Sequence, residues 1–295
     1  THDGRRLHGV APDLGGHVLS VVDKTTGREM FYANPSLKFA QVAYRGAWAS
    51  YGIEFNFPVS HNWVTVSPID FATRTNADGS ASIIVGNVEL VYGMQWRVEL
   101  TLRPARAALE QRTTLYNRTD ARHRFYWWTN AAVEVWDDSR ICYPMTHTAS
   151  HGFADVDTWP VNLAGVDMSR PGNHKDGPVS LFSHGSREPF MGIYHPRTGA
   201  GVVHYSPASD LPAKKIWSWG VDADAMDWRK ALSDNGSAAA EIQAGLFRNQ
   251  ETYAFLEPQE SIRFSEYWLS VHRIGGISRA NADAVLHVSR EPEAG

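Results

Sequence analysis

Phe125-Tyr-Trp-Trp-Thr-Asn-Ala-Ala-Val-Glu-Val135 is the stretch of sequence that decides the fold. It is apolar almost throughout, it is rich in aromatic residues, and it contains neither proline nor glycine. Such a run is typical of a strand at the centre of a sheet, buried on both faces. We therefore expect a large sheet built around this segment.

Segments with alternating apolar and polar residues lie on both sides of this run. His17–Asp23 and Glu29–Tyr32 flank the turn Lys24–Gly27, and the two runs read as a hairpin. Ile69–Thr75 and Ser80–Val85 flank a turn that ends in Asp-Gly, which is a strong hairpin signal. The sequence thus predicts an antiparallel sheet structure.

The alternation continues towards the C-terminus, with one long interruption. Cys142 to about Asp176 is rich in proline, glycine, histidine and aspartate, which indicates an irregular loop, at about 142–176, of the kind that lines a site. After the last strand, Ser278–His287 is the only stretch with helical character. We expect one all-β domain over residues 1–275, and a linker or the start of a helical module over 276–295.

Composition excludes several classes of function. The 295 residues carry a net charge of -4 and contain no run rich in lysine or arginine, so no nucleic-acid partner is expected. No apolar stretch approaches the roughly 20 residues that span a bilayer, so no membrane association is expected. The single cysteine, Cys142, cannot form an internal disulfide, which slightly favours the cytoplasm while localisation stays open. No cofactor is expected.

The supply of tryptophan is unusual, with 11 in the chain. Trp128, Trp159, Trp217 and Trp219 stand beside polar residues, and each indole N–H needs a hydrogen-bond partner. Pyranose rings stack on such side chains, so the pattern indicates a carbohydrate cleft. The alternative is that these residues fill the core of a β-sandwich.

Two glutamates lie in apolar surroundings. Glu54 stands in the segment Trp48–His61, and Glu241 stands in Ala-Ala-Ala-Glu-Ile-Gln-Ala-Gly. Burial disfavours an ionised carboxylate, so the setting of Glu54 predicts a raised pKa, as a general acid requires. The alternative is a structural acid that accepts hydrogen bonds from backbone N–H groups or from an arginine such as Arg45.

The chain resembles an uncharacterised bacterial domain family of the galactose mutarotase-like group over nearly its whole length. The segments that carry the resemblance are Leu14–Gly27, Arg45–Trp48, Gly52–Pro58, Trp128–Ala132, Lys214–Gly220, Glu241–Gly245 and Glu266–Trp268. The resemblance implies an antiparallel β-supersandwich with a carbohydrate cleft on a concave face. Members of that family often carry tetratricopeptide repeats after this domain, so a helical module is an expected partner within the same polypeptide.

The resemblance also implies roles for individual residues. His61 matches the histidine of an early turn-rich segment in sugar mutarotases and epimerases, and Glu241 is similar to their catalytic base. Those enzymes have a second histidine where this chain has Trp128-Thr-Asn130, so one element of their pattern is absent.

Three functions remain open. The first is glycoside hydrolysis by Glu54 and Glu241 as a carboxyl pair. The second is mutarotation or epimerisation of a free sugar, with Glu241 as base and His61 as acid. The third is carbohydrate binding without catalysis. The predicted substrate-binding residues are Trp48, Asn56, Trp128, Asn130, His147, Trp159, Lys215, Trp217, Trp219, Gln243 and Glu266.

His147 and His151, with Asp155 and Asp157 after them, have a spacing that could ligate zinc if they lay on a helix. Nothing else in this stretch indicates a helix, and a polar loop lining the substrate explains the same composition. We therefore predict no metal site. Glu266, between Ser265 and Tyr267, has a structural role as its alternative.

Overall fold

A computed structural model describes residues 6–43, 46–61, 64–184, 186 and 188–290. In the first half of the chain the strands are β1 (Arg6–Ala11), β2 (His17–Asp23), β3 (Arg28–Glu29), β4 (Ala40–Ala43), β5 (Gly46–Trp48), β6 (Ile53–Asn56), β7 (Asp70–Thr75), β8 (Ala81–Val88), β9 (Gln95–Leu102), β10 (Ala108–Tyr116), β11 (His123–Phe125) and β12 (Trp128–Glu134). In the second half they are β13 (Arg140–Cys142), β14 (His147–Ala149), β15 (Val156–Thr158), β16 (Val179–His184), β17 (Phe190–His195), β18 (Ala200–Tyr205), β19 (Ala213–Ser218), β20 (Ala239–Gly245), β21 (Ala254–Leu256), β22 (Ser261–His272), β23 (Arg279–Ala280) and β24 (Val285–Leu286). One α-helix, α1 (Ala223–Leu232), and the short 3-10 turns Pro12–Leu14, His151–Phe153 and Pro171–Asn173 complete these elements.

Two large antiparallel sheets form most of the domain, and the described residues add three two-stranded sheets, β4–β5, β11–β21 and β23–β24. The ten-stranded sheet has the order β1-β2-β6-β12-β20-β19-β16-β14-β15, and β3 pairs with β2. The eight-stranded sheet has the order β13-β17-β18-β22-β10-β9-β8-β7. Strand β12, the buried run of the sequence, lies near the middle of the larger sheet, as predicted. The predicted hairpins are confirmed as β2–β3 and β7–β8.

The core lies between the two sheets. Phe55 of β6 packs against Trp96 of β9 with ring centroids 6.0 Å apart, and Trp127 packs edge-to-face on Phe264 of β22 at 5.6 Å. Since side chains alternate along a strand, β6, β12, β20 and β19 each give one set of side chains to this core and the other set to the opposite face of the sheet. That opposite face carries the polar residues described below.

Three features of the chain differ from expectation: a helix that was not predicted, the loop at 142–176, and the segment after the last long strand. Ala223–Leu232 forms a helix that was not predicted; it begins where the side chain of Asp222 accepts a hydrogen bond from the backbone N–H of Ala225. The loop at 142–176 is only partly irregular, because β14 and β15 extend the larger sheet.

The predicted helix at Ser278–His287 is wrong, since this stretch forms the β23–β24 hairpin. The side chain of Asn281 accepts hydrogen bonds from the backbone N–H groups of Asp283 and Ala284 and thereby fixes the turn. Among the described residues, no helix has the length and apolar character needed to cross a bilayer.

Candidate functional site

A row of polar side chains crosses four neighbouring strands of the larger sheet. Glu54 on β6 pairs with Asn130 on β12, and Asn130 pairs with Gln243 on β20. Gln243 in turn pairs with Lys215 on β19. Residues directly opposite each other in a sheet point to the same face, so all four side chains project from the face that turns away from the core.

A cavity of about 400 Å³ lies over this face, within the size range of small-molecule sites. Its lining residues are Trp48, Ser60, His61, His151, Pro178, Lys215, Trp217, Trp219, Trp228, Glu241, Gln243 and Gln250. The two segments that were expected to converge, around His61 and around Glu241, therefore meet at one opening.

Glu54 and His61 form an ion pair beside this cavity. Nδ1 of His61 lies 3.1 Å from Oε1 of Glu54, whose side chain is only 2% exposed. Burial would raise the pKa of Glu54, but the charge of His61 and its hydrogen bond together outweigh burial and lower that pKa. The prediction of a raised pKa for Glu54 is therefore wrong.

The pKa of His61 is shifted the other way. Burial would lower it, but the charge of Glu54, the hydrogen bond to Glu54 and the charge of Glu241 raise it. Both shifts favour the charged forms, a protonated His61 facing an ionised Glu54. Because Nδ1 is held by Glu54, Nε2 is the ring nitrogen that can serve a ligand.

The loop that carries His61 is held by Asn56. The side-chain Oδ1 of Asn56 accepts a hydrogen bond of 2.6 Å from the backbone N–H of His61. His61 has a φ of 40°, in the left-handed region that non-glycine residues seldom adopt. Asn56 is 2% exposed and does not line the cavity, so it positions His61 rather than binding a ligand as predicted.

Asn130 lies between the two acids. Its Nδ2 donates to Oε2 of Glu54 at 3.4 Å, and its side chain also hydrogen-bonds to Glu241 and lowers the pKa of that carboxyl. Burial nevertheless raises the pKa of Glu241 above its usual value, aided by the charge of Glu54 and opposed by His61 and Lys215. Arg45, the alternative partner considered for Glu54, lies outside the described residues.

A directed chain of hydrogen bonds joins Lys215 to Glu241. Nζ of Lys215 donates to Oε1 of Gln250 at 2.7 Å, and Nε2 of Gln250 donates to Oε1 of Gln243 at 2.7 Å. Nε2 of Gln243 donates to Oε2 of Glu241 at 2.7 Å. Each amide therefore has its donor side turned towards the carboxylate, as expected for a chain with a cation at one end and an anion at the other.

Lys215 is buried among aromatic rings. Its Nζ lies 5.1 Å from the ring centre of Phe182 and 5.2 Å from that of Trp217. Burial lowers the pKa of Lys215 to about 8, although Glu241 and Glu251 act to raise it.

Four indoles form one wall of the cavity. Trp219 stacks on Trp228 of α1 with ring centroids 4.4 Å apart, and Trp217 meets Trp219 edge-on at 5.6 Å. Trp48 lies 6.3 Å from Trp219 and 6.0 Å from His61. Of the predicted tryptophans, Trp48, Trp217 and Trp219 thus lie together at the cavity.

Glu266 does not line the cavity, which corrects its predicted role in binding. It is fully buried between the sheets, where it hydrogen-bonds to Thr129 at 2.7 Å, to Gln111 at 2.6 Å and to His204 at 2.9 Å. The side chain projects from β22 in the other sheet. Its location between the sheets supports the structural alternative.

Three other predicted residues also lie away from the cavity lining. Trp159 is 8% exposed, belongs to the main core, and donates its indole N–H to the carbonyl of Tyr143. Trp128 projects from the same sheet face as Asn130, but it is fully buried against Phe182. His147 is exposed on β14 near the sheet edge.

The histidine-rich loop does not form the helix on which the zinc hypothesis depended. His147 lies on a strand and His151 in a 3-10 turn, so the two imidazoles do not share a helix face. Across the part of the chain that the structure describes, no group of three or more histidine, cysteine, aspartate or glutamate side chains is placed to hold a metal.

Five residues that line the cavity were not among the predicted site residues, namely Ser60, His151, Pro178, Trp228 and Gln250. His151 hydrogen-bonds through Nδ1 to Glu251 at 2.8 Å and packs against Phe182. Gln250 lies in a loop, and Trp228 lies on the unexpected helix. An aspartate at the N-cap position, Asp222, directly before a helix-forming stretch was the available signal for Trp228, while Gln250 had none.

A family model described as a domain of unknown function, DUF5107, matches residues 7–271. The structure of a TPR-domain containing protein from Parabacteroides distasonis ATCC 8503 is similar, with a TM-score of 0.79 and 26% identity over 90% of this chain and 45% of that chain. The chain therefore spans less than half the length of that protein.

Solved structures with lower identity share the fold. A galactose mutarotase-like protein from Clostridium acetobutylicum has a TM-score of 0.65 and 13% identity, over 92% of this chain and 94% of that one. A galactose mutarotase related enzyme from Lactobacillus acidophilus has a TM-score of 0.60 and 13% identity, over 97% and 98%. The predicted all-β, galactose mutarotase-like fold is confirmed.

Proposed function

The chain belongs to the DUF5107 family, and from the arrangement of its site we propose that this domain binds a reducing sugar and interconverts its anomers. The observation that carries the proposal is the pairing of two acid–base groups at one cavity. Glu241 and His61 both line it, and both have a pKa raised above the usual value.

Anomer interconversion needs one group that takes a proton from the anomeric hydroxyl and one that gives a proton to the ring oxygen. The Glu241 carboxylate takes the proton from O1 as the bond from C1 to the ring oxygen breaks and the C1 carbonyl forms. His61, protonated because of Glu54, gives its proton to the ring oxygen. Rotation about the bond from C1 to C2 and reversal of both transfers closes the other anomer, so no co-reactant is consumed.

Other side chains would orient the sugar. The indoles of Trp217 and Trp219 offer apolar faces on which a pyranose can stack. Gln243 and Lys215 offer N–H groups to its hydroxyls. Similarity of fold to proteins named for mutarotation agrees with this proposal but does not by itself carry it.

Glycoside hydrolysis has less support. That reaction needs two carboxyl groups at the scissile bond, and Glu54, the predicted partner of Glu241, does not line the cavity. A binding domain without catalysis remains the second candidate, because the tryptophan wall alone suits stacking on a sugar.

The test is the rate at which a pure anomer equilibrates, followed by polarimetry for α-glucose, α-galactose and α-xylose. We expect the domain to accelerate equilibration of at least one sugar, and Glu241→Gln to remove the acceleration while sugar affinity, measured by tryptophan fluorescence, is retained. Glu257→Gln is the matched control, since Glu257 lies on the surface with its side chain 60% exposed.

Affinity without any acceleration by the unaltered domain would contradict the proposal and favour the binding domain. Release of a reducing sugar from aryl glycosides would instead favour hydrolysis.

A further inference from the structure

A second cavity of about 340 Å³ lies on the same face of the larger sheet. On β12 and β20, Ala132 pairs with Glu241 and Glu134 pairs with Ala239. Glu134 and Ala239 therefore project from the same face as Glu241, one row further along the strands. Trp219 lines both cavities, so a single indole is the wall between them.

Helix α1 contributes lining residues to both cavities. Trp228 lines the first cavity, and Arg229, the next residue, lines the second. Leu232, at the end of the helix, also lines the second cavity. The two spaces are thus adjacent parts of one surface.

The second cavity combines aromatic rings with a balanced set of charges. Tyr32 and Trp136 line it, together with the acids Glu134 and Asp137. Two guanidinium groups, of Arg197 and Arg229, oppose these acids.

The two guanidinium groups differ in how far they are already paired. Arg197 pairs with Asp138 at 3.2 Å and lies over the ring of Trp136. In Arg229, Nε is buried without a hydrogen-bond partner among the described residues, and Nη2 reaches only the carbonyl of Gly220 at 3.5 Å. Since Nε is closed off from the cavity, the Nη groups are the donors that Arg229 can offer to a ligand.

These features select a neutral, hydroxyl-rich ligand. A sugar hydroxyl can donate to Glu134 or Asp137 and accept from Arg229, whereas an anion would face two carboxylates and a cation two guanidinium groups. The ring of Trp136 offers a surface for stacking.

We propose that the second cavity is a subsite for a second sugar residue, so that the ligand of this domain is an oligosaccharide. Its reducing-end residue occupies the cavity at Glu241, and the preceding residue passes Trp219 into the cavity at Glu134. This inference rests on the proposed function for the placement of the reducing end.

The test compares affinities for sugars that share a reducing end. Glucose is measured beside cellobiose, maltose and lactose, galactose beside 1,4-galactobiose, and xylose beside xylobiose, each by quenching of tryptophan fluorescence. We expect at least one disaccharide to bind about 10-fold or more tightly than its own reducing-end monosaccharide.

Variants locate the source of that preference. Glu134→Ala combined with Arg229→Ala should reduce the affinity for the disaccharide to that for the monosaccharide. Ala239→Phe, which fills the second cavity from β20, should have the same effect without altering the helix. Arg263→Ala is the control, because it removes a guanidinium from a separate cavity on the eight-stranded sheet and should keep the preference.

The outcomes for the subsite and for the proposed reaction can be told apart. Equal affinities for disaccharide and monosaccharide, absence of binding across the panel, or a preference that survives both second-cavity variants would overturn the subsite. A length preference without accelerated equilibration would leave the subsite in place and contradict only the reaction. Accelerated equilibration without a length preference would do the reverse.

Discussion

Glu54 illustrates how a residue's chemistry depends on a partner that lies close in sequence but is brought into contact only by the fold. Its apolar neighbours predict a raised pKa, whereas the charge and hydrogen bond of His61, with smaller contributions from His17 and Asn56, lower that pKa. The contact between Glu54 and His61 depends on the loop that Asn56 holds. Local sequence therefore predicted the wrong direction for the pKa shift of Glu54, because it does not show which side chains the fold brings against that carboxyl.

A first prediction concerns the Glu54→Gln variant. Removal of this carboxylate takes away the main interaction that raises the pKa of His61, so we expect that pKa to fall, because burial then acts with less opposition. Proton NMR of the His61 ring as a function of pH measures the shift directly. The variant should also equilibrate anomers more slowly at neutral pH, since less of the imidazole carries the proton to be donated.

The control for this variant is again Glu257→Gln, which should leave the titration of His61 unaltered. A pKa of His61 that stays the same in Glu54→Gln would show that Glu54 does not set the charge of this histidine.

At the scale of single elements, β20 shows how closely the site face is packed. Gly245 lies opposite Trp128 in the sheet, and a Cβ atom at position 245 would come within 2.3 Å of the Trp128 indole. The ring is buried and cannot move aside freely. Because glycine has no side chain, the Trp128 indole can pack directly against β20 at this position.

We predict that Gly245→Ala destabilises the domain by about 1–3 kcal/mol, the usual cost of overpacking a core. This cost exceeds the roughly 0.4–1 kcal/mol that alanine contributes by restricting the unfolded chain. Urea denaturation measures the difference in free energy of unfolding.

Gly9→Ala on β1 is the matched control, because the nearest atom to its added Cβ would be 3.9 Å away. It should leave stability unchanged or slightly increased. Equal free energies of unfolding for both variants would mean that Trp128 can shift at little cost.

The elements also show which parts of the fold the sequence predicts. The β2–β3 and β7–β8 hairpins are recognisable because alternation and turn residues are local signals. Helix α1 was not predicted, and Ser278–His287 was predicted to be helical although it forms the β23–β24 hairpin. In that segment, the side chain of Asn281 accepts a hydrogen bond from the backbone N–H of Asp283 and so fixes a turn in place of a helix. Val285 packs against the apolar cluster that includes Val271 of β22.

For the site, alternation assigns a residue to one of two faces but does not identify which face carries the cavity. Glu241 and Glu266 both stand on strands with apolar neighbours, yet one faces the cavity and the other faces the core. The difference depends on how the two sheets pack, which is a property of the whole chain. Trp159 was predicted at the cleft because it stands beside polar residues, but its indole N–H finds its partner in the carbonyl of Tyr143.

At the scale of the whole molecule, a polar cluster joins the two sheets. Glu266 accepts hydrogen bonds from Gln111 and Thr129 and lies 2.9 Å from Nε2 of His204. Burial raises the pKa of Glu266 to about 8 and holds that of His204 well below its usual value. Both pKa shifts are consistent with a neutral Glu266 carboxyl that donates a hydrogen bond to the neutral imidazole of His204. Burial also lowers the pKa of Lys214, nearby, to about 7.

We predict that Glu266→Gln changes how stability depends on pH. A carboxyl whose folded pKa is raised to about 8 from 4.5 stabilises the fold fully below pH 4.5, and this contribution is lost as pH rises towards 8. The stability of the unaltered domain relative to Glu266→Gln should therefore fall over this window, by at most about 1.4 kcal/mol for each pH unit. Glutamine keeps the shape of the protonated carboxyl and its donor to His204.

Urea titrations of both proteins from pH 5 to pH 8 measure this difference. Because Lys214 is present in both proteins, only the part of its titration that depends on the charge of Glu266 enters the difference. A difference that stays constant with pH would contradict a neutral Glu266 in the folded state.

Helix α1 also bears on how this domain could diversify. Each residue added within a helix rotates the side chains on one side of it by about 100° around the axis relative to the other side. Trp228 and Arg229 are neighbours in the chain but line different cavities, so one residue inserted in α1 before Asp227 would bring Asp227 to the first cavity and Trp228 to the second. A single inserted codon in this helix would therefore change the lining of both cavities at once.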